Sequence, residues 1–304
     1  MRKICVIIPV FKREFVFENI SLARRSADGC AELRFIVVDN GNPPPLRDRL
    51  ASLAETDRDV SVLRLEHNQG GAGAYAAGMT AALDTDCDGM WLLDDDAAPD
   101  RDTLRELLGA FDAISRDGGN PGAVASTLLS NADPERIIES GAFVRGLYGK
   151  LCAGYKDSNI RAVPAGHRRC DYAAAASILI PADAVRKVGV FARTFIHYDD
   201  VEWCFRAAGQ GYEIYVSTRS CVHHPDWSAN FSGWLRYYNT RNKLWFLRRY
   251  RRRQWFFSEI LLRVKAVFFA CTGHWTDAKL MFLGMKHAAD GTLLLRNEVE
   301  ALIR

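Results

Sequence analysis

Three consecutive aspartates, Asp94-Asp95-Asp96, follow the apolar residues Trp91-Leu92-Leu93. Carboxylates this close raise one another's pKa and destabilise a fold unless a cation sits among them. Period-two geometry along a strand end sends Asp94 and Asp96 to one side and Asp95 elsewhere, so the outer pair can grip one ion. Oxygen ligands of this kind favour Mg²⁺ or Mn²⁺, shared with substrate phosphates. The competing reading is a solvated acidic strand end, or a cap for a helix starting near Asp100, but a cap needs one aspartate rather than three.

Three further segments could do chemistry. Asn68-Gln69-Gly70-Gly71-Ala72-Gly73 stands where a strand gives way to a helix, and glycines there let backbone N–H groups approach an anionic or ribose-bearing ligand. It matches neither the dinucleotide fingerprint nor the P-loop, and for the glycines alone a tight turn serves as well; beside the aspartate triplet, nucleotide binding is the better account. Phe195-Ile196-His197-Tyr198-Asp199-Asp200-Val201-Glu202-Trp203-Cys204-Phe205-Arg206 puts paired carboxylates at a helix N-terminus, where one could serve as a general base. Capping by Asp199 or Asp200, with Glu202 pairing to Arg206, explains the same residues equally well. His223-His224 needs a third group before metal binding is credible, and the aspartates could supply it.

These residues need a frame that brings them to one edge. The first half alternates apolar runs (4–9, 33–39, 60–65 and 90–94) with helical patterns at about 14–27, 45–55, 73–83 and 101–116. Continuous apolar strands separated by helices predict a mainly parallel sheet covered on both faces, an α/β architecture. Ligands bind such sheets at the carboxyl ends of the strands, where Phe11, Arg13, Asp39, the glycine loop and the aspartates all fall. The second half predicts strands at 122–129, 137–145, 172–180, 213–217 and 220–224, helices from Pro181 and over 199–210, and a glycine-rich, basic excursion at 146–170.

Composition narrows the class. The 304 residues are 48% hydrophobic, carry a net charge of +3 and have a mean hydropathy of −0.13, which excludes a disordered chain and leaves material for one large or two smaller domains. No run of 18 uncharged apolar residues occurs and the N-terminal apolar run is too short for a signal peptide, so a cytoplasmic start is expected. Eight cysteines without a C-x-x-C pair read as reduced, mostly buried thiols. Charge is uneven: 234–275 holds ten basic residues against the single acid Glu259, leaving the remainder of the chain net acidic. This basic, aromatic-rich segment suits a surface that meets phosphates or anionic lipid. Its aromatic and aliphatic residues at 256, 257, 260, 261, 264, 267, 268 and 271 repeat at 3 to 4 spacing, which predicts an amphipathic helix that lies on a bilayer or else packs on the body. Nucleic acid is the weaker rival and is not expected as a partner.

Together with Pro9-Val10-Phe11-Lys12-Arg13, Val37-Val38-Asp39-Asn40 and Tyr237-Tyr238-x-x-Arg241-Asn242, these motifs stand in an order that resembles the inverting glycosyltransferases of family 2, which have the GT-A fold. The resemblance covers about residues 3 to 246. Within the family the chain looks most like bacterial galactofuranosyltransferases and their rhamnosyltransferase relatives. The resemblance implies that Phe11, Arg13, Asp39 and Asn68 hold the nucleotide and that Asp95 contacts the donor. It implies Asp94 and Asp96 as metal ligands for Mn²⁺ or Mg²⁺, with His224 as the third because it stands 24 positions beyond Asp200. Asp200 would be the base, with Tyr198 and Asp199 lining the acceptor site.

His197 and the double aspartate lean towards the galactofuranosyl branch, so UDP-galactofuranose is the expected donor and dTDP-rhamnose the alternative. The expected acceptor is a polyprenyl-diphosphate-linked or surface-polysaccharide glycan, extended by one or a few sugars. A catalytic domain over 1–230 and a helical region over 231–304, docking peripherally on the inner face of the membrane through 234–275, complete the expectation. A sugar nucleotidyltransferase should carry a basic glycine loop directly after the first strand, and Pro9-Val10-Phe11 is not one. A non-enzymatic anion-binding module leaves the aspartates unexplained.

Overall fold

The computed structural model of the chain describes residues 1–27, 29–226 and 233–303. The chain opens with β1 (Arg2–Val10), α1 (Val16–Ser26), β2 (Ala31–Asn40), α2 (Pro44–Thr56), β3 (Val60–Leu65), α3 (Gly70–Leu83) and β4 (Gly89–Leu93). β1 lies between β2 and β4, β3 flanks β2, and all three pairings are parallel, as the alternating pattern predicts. The strands read as unbroken apolar runs because both faces are covered. Ile7, Ile36, Val38, Met90 and Leu92 pack with α3 on one face. Val6, Ile8, Val37, Trp91 and Leu93 pack on the other with α1 and with α4 (Thr103–Arg116), which follows the short β5 (Ala98–Pro99).

The second half completes the sheet less regularly. β6 (Pro121–Ser130), β7 (Ile137–Glu139), the hairpin β8 (Ala142–Arg145) and β9 (Lys150–Ala153), β10 (His167–Cys170) and β11 (Ser177–Pro181) precede α5 (Ala182–Val188), α6 (Asp199–Ala208) and β12 (Glu213–His224). Among the described residues the strand order is β10-β12-β6-β11-β4-β1-β2-β3. β12 is parallel to β6, but β11 runs antiparallel to both of its neighbours, so the sheet is mixed. Direction is not encoded in an apolar run such as Ile178-Leu179-Ile180, which is why the mainly parallel expectation holds for the first half and fails at β11.

Other boundaries also differ from the sequence expectation. The predicted strands 213–217 and 220–224 are one strand, β12, with a register shift between Ser217 and Cys221. The predicted strand 137–145 breaks at Gly141, whose φ of +61° ends β7 and allows β8 to leave at a new angle. The predicted domain boundary at 230/231 lies outside the described residues.

Four helices end the chain: α7 (Trp234–Tyr250), α8 (Arg252–Cys271), α9 (Trp275–Asp290) and α10 (Arg296–Ala301). Phe246 and Leu247 of α7 belong to the same core cluster as Ile7 and α3, which Phe246 meets through the rings of Tyr198 and Phe205. Among the described residues no helix is long and apolar enough to cross a membrane.

Candidate active site

The aspartate triplet leaves the end of β4 as a turn, and each carboxylate takes a different environment. Asp94 Oδ1 accepts a 2.7 Å hydrogen bond from the Tyr75 hydroxyl, while its backbone carbonyl accepts one of 2.8 Å from Asn19. Burial and the Asp94 charge push the Tyr75 hydroxyl well above its ordinary pKa, so it stays a donor. Asp95 turns back to β1, where its oxygens accept from the Phe11 backbone N–H at 3.0 Å and from Arg13 at 2.9 Å. Asp96 faces Arg13 at 2.6 Å and His224 at 3.2 Å.

Period two, which separates Asp94 and Asp96 from Asp95, also separates the two histidines at the end of β12. His224 turns its Nε2 to Asp96 and lies 3.8 Å from Asp94, whereas His223 goes to the other side and meets Asp100 at 3.2 Å. The Pro225 carbonyl lies 2.7 Å from His224 Nδ1 and can only accept, so Nδ1 carries a proton and, in the neutral ring, Nε2 presents its lone pair. Asp94, Asp96 and His224 offer three ligand atoms within 4.8 Å of one another. Two carboxylate oxygens and one imidazole nitrogen are a donor set that fits Mn²⁺ or Mg²⁺.

The electrostatics agree with a cation site. Burial opposes charge on the His224 ring, yet Asp94 and Asp96 outweigh it and pull its pKa up to about 10. Burial alone would raise Asp96, but His224 and Arg13 hold it below the usual carboxylate range. A proton on Nε2 therefore competes with a metal for the same position. The reading of the triplet as a helix cap does not survive, since α4 begins at Thr103, well beyond Asp96.

A network of amides holds the neighbouring loops. Asp39 is buried at the end of β2, where its Oδ1 accepts from the Asn42 backbone N–H at 2.9 Å and side chain at 2.7 Å. Asn42 in turn accepts from the backbone N–H of Lys12 at 2.6 Å, fixing the positive φ of 62° between Phe11 and Arg13. Asn68 Oδ1 accepts from Asn40 at 3.0 Å and from the Gly70 N–H at 2.8 Å, so its carbonyl oxygen braces the glycine loop. Gly70 has φ +73°, and a Cβ there would lie 1.9 Å from the Phe195 carbonyl oxygen, a clash no side chain escapes. The glycine loop is thus pressed directly against the segment that precedes Asp199 and Asp200.

That segment is strained. Phe195, His197 and Tyr198 all have positive φ (71°, 62° and 68°), which costs of order 1–3 kcal/mol per non-glycine residue and persists only where neighbours impose it. It presents Asp199 and Asp200 at the N-terminus of α6. Asp200 accepts from the N–H groups of Val201 at 2.7 Å and Ala175 at 3.3 Å, and burial pushes its pKa up to about 6. Asp199 is buried, and burial together with the Asp200 charge pushes it well above the carboxylate range. Glu202 pairs with Arg206 at 3.0 Å and Asp200 takes the free N–H of Val201 in the first turn, so both parts of the structural explanation of this helix are present.

Residue 175 joins the two halves. Its carbonyl accepts from the Tyr75 hydroxyl at 3.2 Å and its N–H donates to Asp200, which chains Asp94 to Asp200 through Tyr75. Sequence reasoning missed Tyr75, whose one signal is an aromatic ring in the otherwise small-residue helix Gly70–Leu83. It also missed Asn42, and Glu139, a fully buried carboxyl that burial and the Asp200 charge push up to about 8. Glu139 reads in sequence as one more residue of a strand.

With this geometry in place, likeness to known proteins becomes informative. Residues 5–147 match the model of Glycosyl transferase family 2. Galactofuranosyltransferase GlfT2 of Mycobacterium tuberculosis is 27% identical over 263 residues, which cover 79% of this chain and 40% of that one. The chain therefore spans well under half the length of that relative. Galactofuranosyltransferase GlfT1 of Mycolicibacterium smegmatis is 28% identical over 228 residues, 73% of this chain and 70% of its own. The crystal structure of GalNAc-T7 with UDP, GalNAc and Mn²⁺ superposes with a TM-score of 0.61 at 12% identity, covering 82% of this chain and 48% of that one. Residues 5–147 thus match the family 2 glycosyltransferase model, on a chain whose fold is the GT-A fold of glycosyltransferases.

Proposed function

We propose that the protein is an inverting, metal-dependent glycosyltransferase that moves galactofuranose from UDP-galactofuranose onto a hydroxyl of a lipid-linked or surface-polysaccharide glycan. The observation that supports this reading is the chain of contacts from Asp94 through Tyr75 and residue 175 to Asp200, which links the metal-binding group to the carboxylate read as the base. The names of the relatives, both galactofuranosyltransferases, support the sugar.

Asp94, Asp96 and His224 would hold Mn²⁺ or Mg²⁺, which neutralises diphosphate charge. Phe11, Arg13, Asp39, Asn68 and Asp95 line the donor side. Arg13 is half exposed and points at Asp95 and Asp96, so its guanidinium can also meet a phosphate. Asp200, with a pKa of about 6, is ionised at neutral pH yet basic enough to take the proton of an acceptor hydroxyl as it attacks the anomeric carbon. Asp199, made harder to ionise by burial and by the Asp200 charge, and Tyr198 would orient that hydroxyl. Attack from the side opposite the leaving diphosphate inverts the anomeric centre.

A polyprenyl-diphosphate-linked acceptor would bring the protein to the inner face of the cell membrane. The outer face of α8 is the surface suited to that contact, since Phe256, Ile260, Val264, Val267 and Phe268 are all exposed on it. Arg251, Arg252 and Arg253 stand exposed at its start.

The deciding experiment measures UDP or dTDP release from UDP-galactofuranose, UDP-galactopyranose, UDP-glucose and dTDP-rhamnose with Mn²⁺, Mg²⁺ or EDTA, for the wild type and Asp200→Asn. Expected is metal-dependent turnover of UDP-galactofuranose, lowered roughly 10²–10⁴-fold in Asp200→Asn with UDP binding retained. Turnover of dTDP-rhamnose alone would overturn the sugar, and full activity of Asp200→Asn would overturn the base.

A further inference from the structure

The motif Tyr237-Tyr238-x-x-Arg241-Asn242 touches neither the metal-binding group nor the donor loops, and its polar residues are among the most buried in the chain: Asn242 is 0% and Arg241 4% exposed. A buried amide and a buried guanidinium are costly unless every polar atom is spent on something. Asn242 Nδ2 donates towards three backbone carbonyls of one segment, those of Thr194 at 3.1 Å, Ile196 at 2.7 Å and His197 at 3.2 Å. Arg241 Nη1 donates to Asn242 Oδ1 at 2.9 Å, which fixes the amide with its nitrogen towards those carbonyls. Arg241 is itself held by the carbonyls of Thr292 and Gly291 at 3.2 and 3.4 Å, beyond the end of α9.

The same side of α7 grips this segment elsewhere. Residues 234, 238 and 242 follow the i, i+4, i+8 spacing of one helix face. The Tyr238 ring stacks on Phe195 with centroids 4.8 Å apart, and Trp234 meets Phe195 edge-on at 6.3 Å. Asn239 Oδ1 lies 2.9 Å from His197 Nδ1. The gripped residues include Phe195 and His197, two of the three positive-φ positions in the run leading to Asp199 and Asp200, and the same run is pressed by Gly70. Such backbone needs surroundings that over-determine it. Asn242 spreads its two amide hydrogens over three carbonyls of this segment, the 2.7 Å contact to Ile196 being the shortest.

We propose that Asn242 is a positioning residue: with Trp234, Tyr238 and Asn239 it makes α7 a clamp that holds the strained 194–198 segment and thereby aims Asp200. It acts through Asp200 and touches no substrate. The proposal rests on the reading of Asp200 as the base.

The test compares Asn242→Ala and Asn242→Asp with the wild type and with Asp200→Asn, reading kcat, donor KM, UDP affinity, and amide hydrogen exchange over 194–201. Misplacing a reacting group by about 1 Å costs on the order of 10²-fold, so kcat is expected to fall roughly 30- to 100-fold. Donor KM and UDP affinity stay within about twofold, because uniform binding is untouched, and exchange over 194–201 accelerates. Wild-type kcat in both Asn242 variants overturns the proposal. So does a parallel loss of UDP affinity and kcat, which marks a general packing role. If neither variant folds, Asn239→Ala decides in the same way: lower kcat at constant UDP affinity supports the clamp, and unchanged kcat overturns it. Full turnover in Asp200→Asn sinks the base assignment instead, and the exchange data then still score whether Asn242 holds the segment.

Discussion

α7 and α8 are consecutive, both rich in arginine and aromatic residues, and yet they do opposite things. In α7 Tyr237, Tyr238, Asn242, Phe246 and Leu247 are fully buried, whereas in α8 only Ser258 and Ala266 are buried. Phe268 is 61% and Val264 62% exposed. The sequence reads 234–275 as one basic, aromatic-rich docking segment with an amphipathic helix at 256–271, and the structure divides it at Arg251 into a helix packed on the 194–198 segment and a helix that faces outwards. The difference teaches that composition and 3.6-residue spacing identify an apolar face without saying what covers it. Polar residues on that face carry the distinction: Asn239, Arg241 and Asn242 have partners waiting in the 194–198 and 291–292 segments, while the apolar face of α8 has none of that kind.

The comparison breaks or holds on three further measurements. The largest effect is expected from Tyr238→Ala, which removes the ring stacked on Phe195 and the hydroxyl that donates to the Leu294 carbonyl at 2.7 Å. Truncating a buried aromatic costs about 3–5 kcal/mol, so chemical denaturation should give a loss of that size. A loss below about 1 kcal/mol would mean that α7 is no more embedded than α8.

A smaller effect, about tenfold per pH unit, is expected in turnover below pH of about 6. Burial raises the Asp200 pKa to about 6, and a base must be ionised, so kcat should rise with pH through that value and level off above it. Stability moves the other way. A carboxyl that is harder to ionise in the native state than at its ordinary value of 3.8 favours folding below about pH 4, and that contribution is lost as pH rises through about 6. A variant of α8, Phe256→Ser with Val264→Ser and Phe268→Ser, should keep the same pH profile. A shifted limb would tie α8 to the site after all.

The smallest effect in solution belongs to that same α8 variant, whose exposed substitutions should change stability by no more than about 0.5 kcal/mol each. Its measurable consequence lies in co-sedimentation with phosphatidylglycerol-containing vesicles at low salt. The wild type should be retained and the variant released. Retention of both would remove α8 from the membrane contact, and a wild type that stays in solution but sediments as a larger particle would assign the face to a second copy of the chain.

Much of the donor side was legible in the sequence because its physics is local. Unbroken apolar runs define strands, period two separates Asp94 and Asp96 from Asp95, and the same alternation separates His224 from His223. The resemblance implies His224 by spacing, and the geometry brings it, rather than His223, within reach of Asp94 and Asp96. The resemblance also implies Asp39 and Asn68, whose hydrogen bonds go to Asn42, Asn40 and Gly70 and make them braces of the loops as well as candidates for the nucleotide.

What the sequence determined, then, is the order of the β–α units, the edge at which the ligand-binding residues gather, and the acidic pair at the start of α6. Each follows from contacts a few residues apart. Tertiary structure alone decided the antiparallel direction of β11, the link from Asp94 to Asp200 through Tyr75, the burial of Glu139 beside Asp200, and the division of labour between α7 and α8. These depend on residues tens to more than a hundred positions apart meeting in space, where desolvation and the pairing of buried polar atoms set the energy, and no local pattern in the chain records which distant group will arrive.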